Sequence, residues 1–500
     1  MKNFKERFKK DFVSSQRVDL PFDLDLLEPN TPKSKHKANL KPLKVGLAVS
    51  LASLLVALAV PVSVFLVSAI RVKSSVKLDQ RHYSLNQIKM AESNTFKKLN
   101  EVNYPALSSP QTSYIEEKEK EAYANFANCT YRSLIQCEKK ENMSYSIASL
   151  YAVMNELSGA LSSEEAKAKF ESLLGLDEYS RSFFYAKMMK ANSFASESST
   201  IQIKNAAFFH SDYRCNQDYI KSLSSLYCEA YQLDFASEAE KIVSWANQAV
   251  NANGFIDKNF LEMDEDTILY LFSTLYFKNM WQYKYLNSNN TIDDFYLDDG
   301  SVIKTEYMSH SYQSDGYYDY GSYIAFSDYY AFGNAKVTYF VPKKVEDDIF
   351  ELTKDKNLFE VGEGKFVKAS GGSPYININL KTPKFSQKVE IDFKDCLVNI
   401  GLGSIFDPTI DSFKKAFDDE KLKDVNTYLQ KIKQKNEVEF NEDGSTIKSI
   451  TVASIGAGSA APMGNDLDTL DVELNQPFIY VIEDKNDIPI FLGHLNRPKA

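Results

Sequence analysis

The stretch from Thr267 to Lys278, TILYLFSTLYFK, constrains what this chain can fold into more than any other part of it. It is a continuous apolar run that is rich in β-branched and aromatic residues. A strand with one solvated face alternates polar and apolar residues, so a continuous run is typical of a strand buried on both faces. We therefore expect this strand to lie in a sheet that other elements cover on both sides.

Strand and helix patterns mix along the rest of the chain. The stretch from Tyr145 to Leu174 has a helical period, with an SSEE start signal at Ser162. Since strands and helices do not alternate strictly, the predicted class is α+β with large mixed or antiparallel sheets. Further strands are predicted at 336–341 (KVTYFV), 375–380 (YININL), 478–483 (FIYVIE) and 488–492 (IPIFL), the last two joined by a turn.

The composition indicates a globular protein with a large core. The chain has 500 residues, of which 44% are hydrophobic, 13% aromatic and 25% charged. These values are typical of folded domains. The formal net charge of −10 argues against nucleic-acid binding, which normally requires a basic face.

The cysteine and histidine pattern predicts neither a metal site nor a cofactor. No C-x-x-C pair is present, and no Cys/His cluster has the spacing of zinc ligands. Because the number of cysteines is odd, they cannot all pair within one chain, and we expect mainly buried or unpaired thiols. Cys129–Cys137 and Cys215–Cys228 remain candidate local pairs if the domain lies outside the cell. The five cysteines are Cys129, Cys137, Cys215, Cys228 and Cys396.

An uncharged apolar run from Val45 to Ile70 follows a polar leader, residues 1–44, that is rich in Lys and Arg. As a helix this run would rise about 39 Å, more than the roughly 30 Å of a bilayer core. Membranes also tolerate a helix interrupted by a proline such as Pro61. The run is too long and too uniformly apolar for a buried core helix. A cleaved signal peptide normally has a shorter apolar core and a shorter leader, so we favour an uncleaved anchor.

The predicted anchor fixes an orientation and a set of segments. The Lys/Arg-rich leader should stay in the cytoplasm, which leaves the C-terminal bulk outside a single-pass cell-membrane protein. Residues 71–118 are polar and mixed, and they are interpreted as a stalk. A folded domain, 119–500, should then open with a helix within 114–140.

Common catalytic and binding motifs are absent. There is no G-x-S-x-G, H-E-x-x-H, Walker loop or G-x-G-x-x-G. The Gly-rich piece at Gly456 lacks the lysine of a phosphate loop. A membrane-bound hydrolase nevertheless remains a third interpretation, since catalytic triads are not local in sequence. An acidic run without EF-hand spacing is interpreted as a solvated loop; its members are Asp466, Asp468, Asp471 and Glu473.

Eight short motifs, in order over roughly residues 120–500, resemble those of the serpin family. Each match alone is weak, but the ordered set covers about three-quarters of the chain. They are NAAFF from Asn205; Trp245 with NGFI at 253–256; TILYLFSTLYFKNMW ending at Trp281; FYLDDGSVIKTEYM at 295–308; KTPKF at 381–385; GLGSIFDPTIDSF at 401–413; EFNEDGS at 439–445; and Pro477-Phe478 with FLG at 491–493 and Pro498.

The resemblance implies a fold and a mechanism. The fold would have a five-stranded main sheet, two smaller sheets and about nine helices. In inhibitory serpins a protease cleaves an exposed loop, whose N-terminal half then inserts into the main sheet and traps the protease as an acyl-enzyme. A metastable native state drives that insertion. The same fold also serves non-inhibitory binding or carrier modules, which is the alternative function.

The resemblance places the bait loop at about 442–474, with a hinge formed by Glu442, Gly444, Ser445 and Thr446. From Gly444 to Ala453 the chain alternates as an inserting strand should, because alternate residues share one face of a strand. If Ser445 points inward, the inward residues are Ser445, Ile447, Ser449, Thr451 and Ala453, and the outward ones are Thr446, Lys448, Ile450 and Val452.

The chain departs from the family pattern at several positions. Ile447 and Lys448 stand where small residues are usual, and the loop is several residues longer than the family norm. In the region that controls sheet opening, Gln434 replaces a usual His and Ser273 a usual Asn, whereas Ser146 and Ser149 match the family. A Gln–Ser pair can still form hydrogen bonds.

The position of the scissile bond stays open between two sites. Family spacing from the hinge indicates Gly458–Ser459, whereas local chemistry favours Met463–Gly464, because AAPM suits an elastase- or chymotrypsin-like cleft. We prefer Met463. The sequence thus predicts an extracellular, membrane-anchored inhibitor of elastase-, chymotrypsin- or subtilisin-like serine proteases that catalyses nothing itself and needs no cofactor.

Overall fold

The computed structural model describes residues 88, 90, 93, 95–105, 114–137, 142–196, 199–354, 356–359, 364–370, 374–447 and 468–498. These residues lie in the compact unit Lys77–Ala500. The predicted leader, 1–44, and the predicted membrane helix, 45–70, lie outside them. Within the described ranges, no helix is both long enough and apolar enough to cross a membrane.

The strands of the described part form three sheets. In chain order they are β1 (Lys97–Lys98), β2 (Met143–Tyr145), β3 (Phe194–Ala195), β4 (Ser199–His210), β5 (Cys228–Leu233), β6 (Leu269–Met280), β7 (Thr291–Tyr296), β8 (Val302–Ser314), β9 (Tyr317–Asp319), β10 (Tyr323–Tyr329), β11 (Ala335–Pro342), β12 (Lys365–Val367), β13 (Ile376–Pro383), β14 (Phe385–Asp392), β15 (Lys433–Asn441), β16 (Gly444–Ile447), β17 (Thr469–Glu473), β18 (Phe478–Asp484) and β19 (Pro489–Leu495).

The main sheet has the order β1-β5-β4-β6-β16-β15-β14, with β3 paired to β4. The expected five strands are β5, β4, β6, β15 and β14, and β1, β3 and β16 bring the total to eight. A seven-stranded sheet, β12-β9-β10-β11-β18-β19-β2, and a four-stranded sheet, β17-β13-β8-β7, complete the fold. The predicted closing pair of strands is present as β18 and β19, which are antiparallel neighbours.

Nine α-helices pack on these sheets within the described residues, in agreement with the expected number. Several helices are capped by the side chain of the residue that precedes them. Asp234, for example, accepts a hydrogen bond from the amide of Ala236. The helices are α1 (Glu117–Cys137), α2 (Ile147–Ala160), α3 (Glu164–Leu174), α4 (Glu178–Ala191), α5 (Gln217–Ser225), α6 (Phe235–Ala249), α7 (Lys258–Leu261), α8 (Ile349–Thr353) and α9 (Lys394–Leu397).

The predicted strand at 267–278 is present as β6, but the expected full burial is found only in part of the strand. Leu275 and Phe277 are buried, whereas the first six residues of β6 are half-buried. The reason lies in the pairing of β6 among the described strands: β4 pairs along one edge, whereas on the other edge β16 pairs with residues 277–280 alone.

The predicted helical stretch from Tyr145 to Leu174 is two helices. α2 begins after Ser146, whose side chain accepts a hydrogen bond from the amide of Ser149, and ends at Ala160. A second cap, Ser163 rather than Ser162, then starts α3 by accepting from the amide of Ala166. Each serine satisfies an amide that the first helical turn leaves unpaired, so the chain can turn between the two helices.

Two stretches that the sequence assigned to irregular structure are strands. Two of the four residues of the acidic run, Asp471 and Glu473, lie in β17, which pairs in parallel with β13 and places Asp471 opposite Asn379. Within the predicted stalk, β1 pairs with the edge of β5, and Val102 is buried. The described part of 71–118 therefore packs against the body, although the segment boundaries themselves stay a prediction. The five cysteines, all of which are described, form no disulfide with one another.

Candidate functional site in the main sheet

A slot separates β6 from β15 in the middle of the main sheet. β4 pairs with one edge of β6, and β14 pairs with the far edge of β15. Between them β16 fills only one end of the gap, where it pairs with 277–280 of β6 and 438–441 of β15; this end is here called the upper end of the slot. Among the described residues, no strand pairs with the slot-facing edges of 269–276 and 433–437. The slot is part of a cavity of about 620 Å³, so backbone hydrogen-bonding groups and space for a further strand are both present.

The hinge predicted from the sequence forms the start of β16. Ser445 is fully buried, Thr446 is half-buried and Ile447 is buried, which is the alternation expected of an inserted strand. Only glycine fits at position 444, because a Cβ atom there would lie 2.0 Å from the carbonyl oxygen of Asn279. The chain therefore enters the sheet at Gly444.

Two aromatic side chains donate hydrogen bonds to the hinge and to the residue just before it. The Tyr330 hydroxyl donates a 2.8 Å hydrogen bond to the Ser445 hydroxyl, and the Trp281 indole donates one of 2.8 Å to the carbonyl oxygen of Asn441. The two rings are stacked, with centroids 4.8 Å apart and planes 11° from parallel. No sequence pattern indicated a role for Tyr330, and Trp281 stood out only as the end of a motif.

Glu442 is held at the mouth of the slot by two partners from other elements. Its Oε1 atom accepts a hydrogen bond from Asn290 at 2.5 Å and lies 3.0 Å from the Lys384 ammonium. Burial raises the pKa of Glu442, but the hydrogen bond and the positive charge outweigh it and hold the pKa below its usual value. The ionised carboxylate is therefore part of the folded hinge.

Glu442→Gln is expected to loosen β16 and to flatten the pH profile of stability. Because its folded-state pKa is lowered, Glu442 stabilises the fold above its unfolded pKa near 4.5, and this stabilisation is lost as the pH falls through the folded value. Urea-unfolding midpoints measured between pH 3 and 7 should fall less steeply below pH 5 in the variant. Glu306→Gln is the matched control, since Glu306 is a more exposed partner of the same lysine. Equal effects of both substitutions would contradict the role given to Glu442.

The middle of the slot is closed by Gln434. Its amide oxygen accepts a hydrogen bond from the backbone amide of Ser146 at 2.6 Å, and its amide nitrogen donates to the carbonyl oxygen of Ser146 at 3.2 Å. The Ser146 hydroxyl in turn donates to that of Ser149 at 3.0 Å. Ser273 lines the same cavity, but its buried hydroxyl makes no hydrogen bond within the described residues. The glutamine thus contacts backbone atoms of Ser146 rather than the Ser273 side chain.

The lower end of the slot is covered by α6 and the segment that follows it. At the foot of the slot, Thr267 donates a 2.9 Å hydrogen bond to the side chain of Gln430. The covering side chains were not identified from the sequence, because they are ordinary apolar residues that only the tertiary fold brings to the slot. They are Ala246, Val250, Phe255, Phe260 and Leu261.

The predicted site residues fall into two groups. The hinge residues and the sheet-opening residues all lie at the slot. The predicted cleavage residues Gly458, Ser459, Met463 and Gly464 lie outside the described residues. Within the described residues no cluster of three or more His, Cys, Asp or Glu side chains is placed to hold a metal ion. The chemistry that this arrangement supports is the pairing of a further strand.

Comparison with known proteins identifies the family. The profile described as Serpin (serine protease inhibitor) matches residues 121–498, about three-quarters of the chain. The chain belongs to the serpin family. The three sheets and the slot are therefore those of a serpin.

Curated relatives are distant. The chain is 28% identical to Serpin-Z4 of Hordeum vulgare over 273 residues, which are 52% of this serpin and 63% of that protein's length, a little under two-thirds. It is 23% identical to plasminogen activator inhibitor 1 of Bos taurus over 75% of this chain and 91% of that protein. The native-state crystal structure of the thermophilic serpin tengpin superposes with a TM-score of 0.64 at 22% identity, covering 79% of this chain and 97% of that one.

Proposed function

We propose that this serpin is a membrane-anchored, extracellular inhibitor of serine proteases that acts by loop cleavage, loop insertion and covalent trapping. The observation that carries the proposal is that β16 already occupies the upper end of the slot, while no described strand pairs with the two edges at its lower end. Further insertion would add ladder hydrogen bonds and bury side chains, which is the free-energy source that trapping requires.

The register of β16 supports further insertion. Gly444 lies opposite Met280 on one side and Asn441 on the other. If the same register continues, Thr451 comes to lie between Ser273 and Gln434. Its hydroxyl would meet the one sheet-opening side chain that has no hydrogen-bond partner among the described residues. The altered pair of Gln434 and Ser273 is therefore compatible with an inserted loop.

The same register bears on the scissile bond. Continued pairing reaches the start of β6 at residue 455, opposite Leu269. Gly458 lies three residues beyond that point and Met463 eight, spans of at most about 11 and 29 Å. A short tether would press a trapped protease against the body, so the geometry favours Gly458–Ser459, whereas local chemistry favours Met463–Gly464. Mass measurement of the C-terminal fragment released by cleavage distinguishes the two bonds.

The membrane anchor and the extracellular location rest on the sequence of 1–70. The uncharged run from Val45 to Ile70 and its Lys/Arg-rich leader support a single-pass anchor with the serpin body outside. If so, protease added to intact cells should remove the serpin body and leave the leader protected. Digestion that spares the body until the membrane is permeabilised would contradict this orientation.

Mixing the purified chain with elastase-, chymotrypsin- and subtilisin-like proteases is expected to give a covalent complex that survives SDS with at least one of them. The acyl-enzyme joins the two chains, and loop insertion prevents its hydrolysis. Denaturing gels measure the complex, and a protease whose catalytic serine is inactivated is the matched control. Cleaved serpin without complex for every protease class would contradict inhibition.

That contradictory result would leave the binding or carrier function as the alternative. Thermal unfolding of the cleaved chain then adds information, since an inserted loop should raise the melting temperature. Cleavage without any rise would indicate a serpin fold whose loop does not insert.

A further inference from the structure

A segment N-terminal to the family-matched region, here called the strap, crosses the edge of the main sheet. The strap consists of Ser93 and residues 95–104, whereas the family profile begins at residue 121. It includes β1 and lies against both β5 and α6. This placement gives the strap access to two elements that belong to the serpin body.

The first set of strap contacts is with the outer edge of β5. Lys97 and Lys98 pair in antiparallel fashion with this strand, and the amide of Leu99 donates a 2.8 Å hydrogen bond to the carbonyl oxygen of Ala230. The Asn100 side chain accepts from the amide of Ala230 at 2.8 Å and donates to the carbonyl oxygen of Cys228 at 2.9 Å. The strap thus satisfies backbone groups that an edge strand would otherwise leave unpaired.

The second set of contacts is with the first turns of α6. The hydroxyls of Ser93 and Thr95 both donate to the carboxylate of Glu238. Lys241 donates to the Ser93 hydroxyl at 2.9 Å, and its ammonium lies 4.4 Å from the centre of the Phe96 ring. The side chains of Glu238 and Lys241 are largely buried, at 12% and 17% exposure respectively.

Phe96 joins the two sets of contacts. Its ring stacks on Tyr231 of β5 with centroids 5.3 Å apart, and Tyr231 stacks in turn on Phe208 of β4 at 5.3 Å. Phe208 meets Trp245 of α6 edge to face. Strap, sheet edge and α6 therefore form one packed unit.

Insertion of the loop requires α6 to move. In the continued register Val452 lies opposite Phe272, and Phe272 packs against α6 through Trp245, with ring centroids 6.3 Å apart. Side chains paired across strands share a face, so Val452 would enter on the α6 side of the sheet. That side of the slot is already occupied by Ala246 and Val250. A contact that holds α6 in place therefore opposes insertion.

We propose that the strap is a restraint on slot opening: by fixing α6 to β5, it slows insertion of the reactive loop, and its release speeds insertion. The inference rests on the proposed function, because it concerns regulation of the same slot. Since the strap follows the predicted anchor in the chain, pulling or binding at residues 71–92 would act on α6 through it.

Uptake of a synthetic peptide tests the restraint without any protease. The probe is a peptide with the sequence of residues 448–457, which follows β16 in the chain and should fill the lower part of the slot of the full chain in detergent. Native gels measure its rate of incorporation. Two double variants weaken the strap, Phe96→Ala with Asn100→Ala at the sheet edge and Ser93→Ala with Thr95→Ala at α6. Each should take up peptide at least about fivefold faster, roughly the effect of one lost hydrogen bond. Glu101→Ala is the control, because the exposed side chain of Glu101 forms an ion pair with Lys98 of the strap itself.

The outcomes separate the strap from the proposed function. Faster uptake in both double variants, with Glu101→Ala unchanged, supports the restraint even if the chain inhibits no protease. Uptake within twofold of the wild-type rate in both, or no uptake in any chain, overturns it even if inhibition is normal. Ser93→Ala with Thr95→Ala removes only two hydroxyls and one methyl group from exposed residues, so it remains informative if the first double variant misfolds.

Discussion

If the chain inhibits proteases as proposed, Ser445→Arg is expected to make it a substrate: proteases should still cleave the loop, but the yield of covalent complex should fall roughly a hundredfold or more. Ser445 is fully buried in β16, where Tyr330 donates a hydrogen bond to it. Placing a guanidinium there would cost several kcal/mol in desolvation, and each 1.4 kcal/mol changes the partition between trapping and release about tenfold. Denaturing gels that separate complex from cleaved serpin measure that partition.

Thr446→Arg is the matched control, one residue further along the same strand. Thr446 is half-buried on the opposite face and lies between Glu439 and Lys278. An arginine there can reach solvent and pair with Glu439, so complex formation should change little. If Thr446→Arg abolishes complex as fully as Ser445→Arg, the alternation of the hinge is not what governs insertion.

Glu156→Gln is expected to stabilise the body, and increasingly so as the pH rises from acid to neutral. Glu156 of α2 is 1% exposed, and neither carboxyl oxygen has a hydrogen-bond partner within the described residues. Burial raises the pKa of Glu156 well above the usual 4.5, and the neighbouring Cys228 thiol lowers it only in part. The folded chain therefore holds a proton that the unfolded chain releases.

The sign of the pH effect follows from that proton. A raised folded-state pKa gives stability that is complete below pH 4.5 and is lost as the pH rises towards the folded value. The loss is about 1.4 kcal/mol for each pH unit over which only the unfolded carboxyl is ionised. Glutamine does not titrate, so the gain in urea midpoint for Glu156→Gln should grow from pH 4.5 upwards. A gain that does not vary with pH would show that protonation is not its cause.

Glu119→Gln on α1 provides a control of opposite sign. Glu119 is equally inaccessible, at 4% exposure, but it accepts hydrogen bonds from Lys187 at 2.7 and 2.8 Å. Losing a charge-assisted pair of this kind should destabilise the body by about 1.5–3 kcal/mol. Two buried glutamates with opposite responses would show that the partner, rather than burial alone, decides the effect.

The local features of this fold could be predicted, because they depend on neighbouring residues. The strand of β6 and the alternation at Ser445 and Ile447 are both encoded in consecutive positions. The alternation agrees with the structure, and the strand is present although its first six residues are only half-buried. The division of one helical pattern into α2 and α3 also has a local cause, the cap at Ser163. The sequence contains this helix-start signal, but the capping residue is Ser163 rather than the predicted Ser162.

The long-range features could not be predicted from the same evidence. Gln434 and Ser146 are 288 residues apart, and nothing beside either residue specifies a backbone contact. β17 alternates polar and apolar residues over only five positions, TLDVE, and nothing beside it specifies its parallel pairing with β13. The strap has too few apolar residues to resemble a core strand, and it is ordered by contacts with β5 and α6. The family resemblance implied that the main sheet can accept a further strand, but it contains no information on residues that precede the family-matched region.

The partly filled slot also has a consequence for solutions of many molecules. Within the part of the chain that the structure describes, the slot has two facing strand edges with unpaired backbone groups. Inside a sheet they present the same hazard as an exposed edge strand does outside one. The chain's own loop has the advantage of a high effective concentration, since it is attached at Gly444. That advantage does not depend on dilution, whereas capture of a loop from another copy does. Crowding or mild heating should therefore shift this serpin from self-insertion towards linked, aggregated chains.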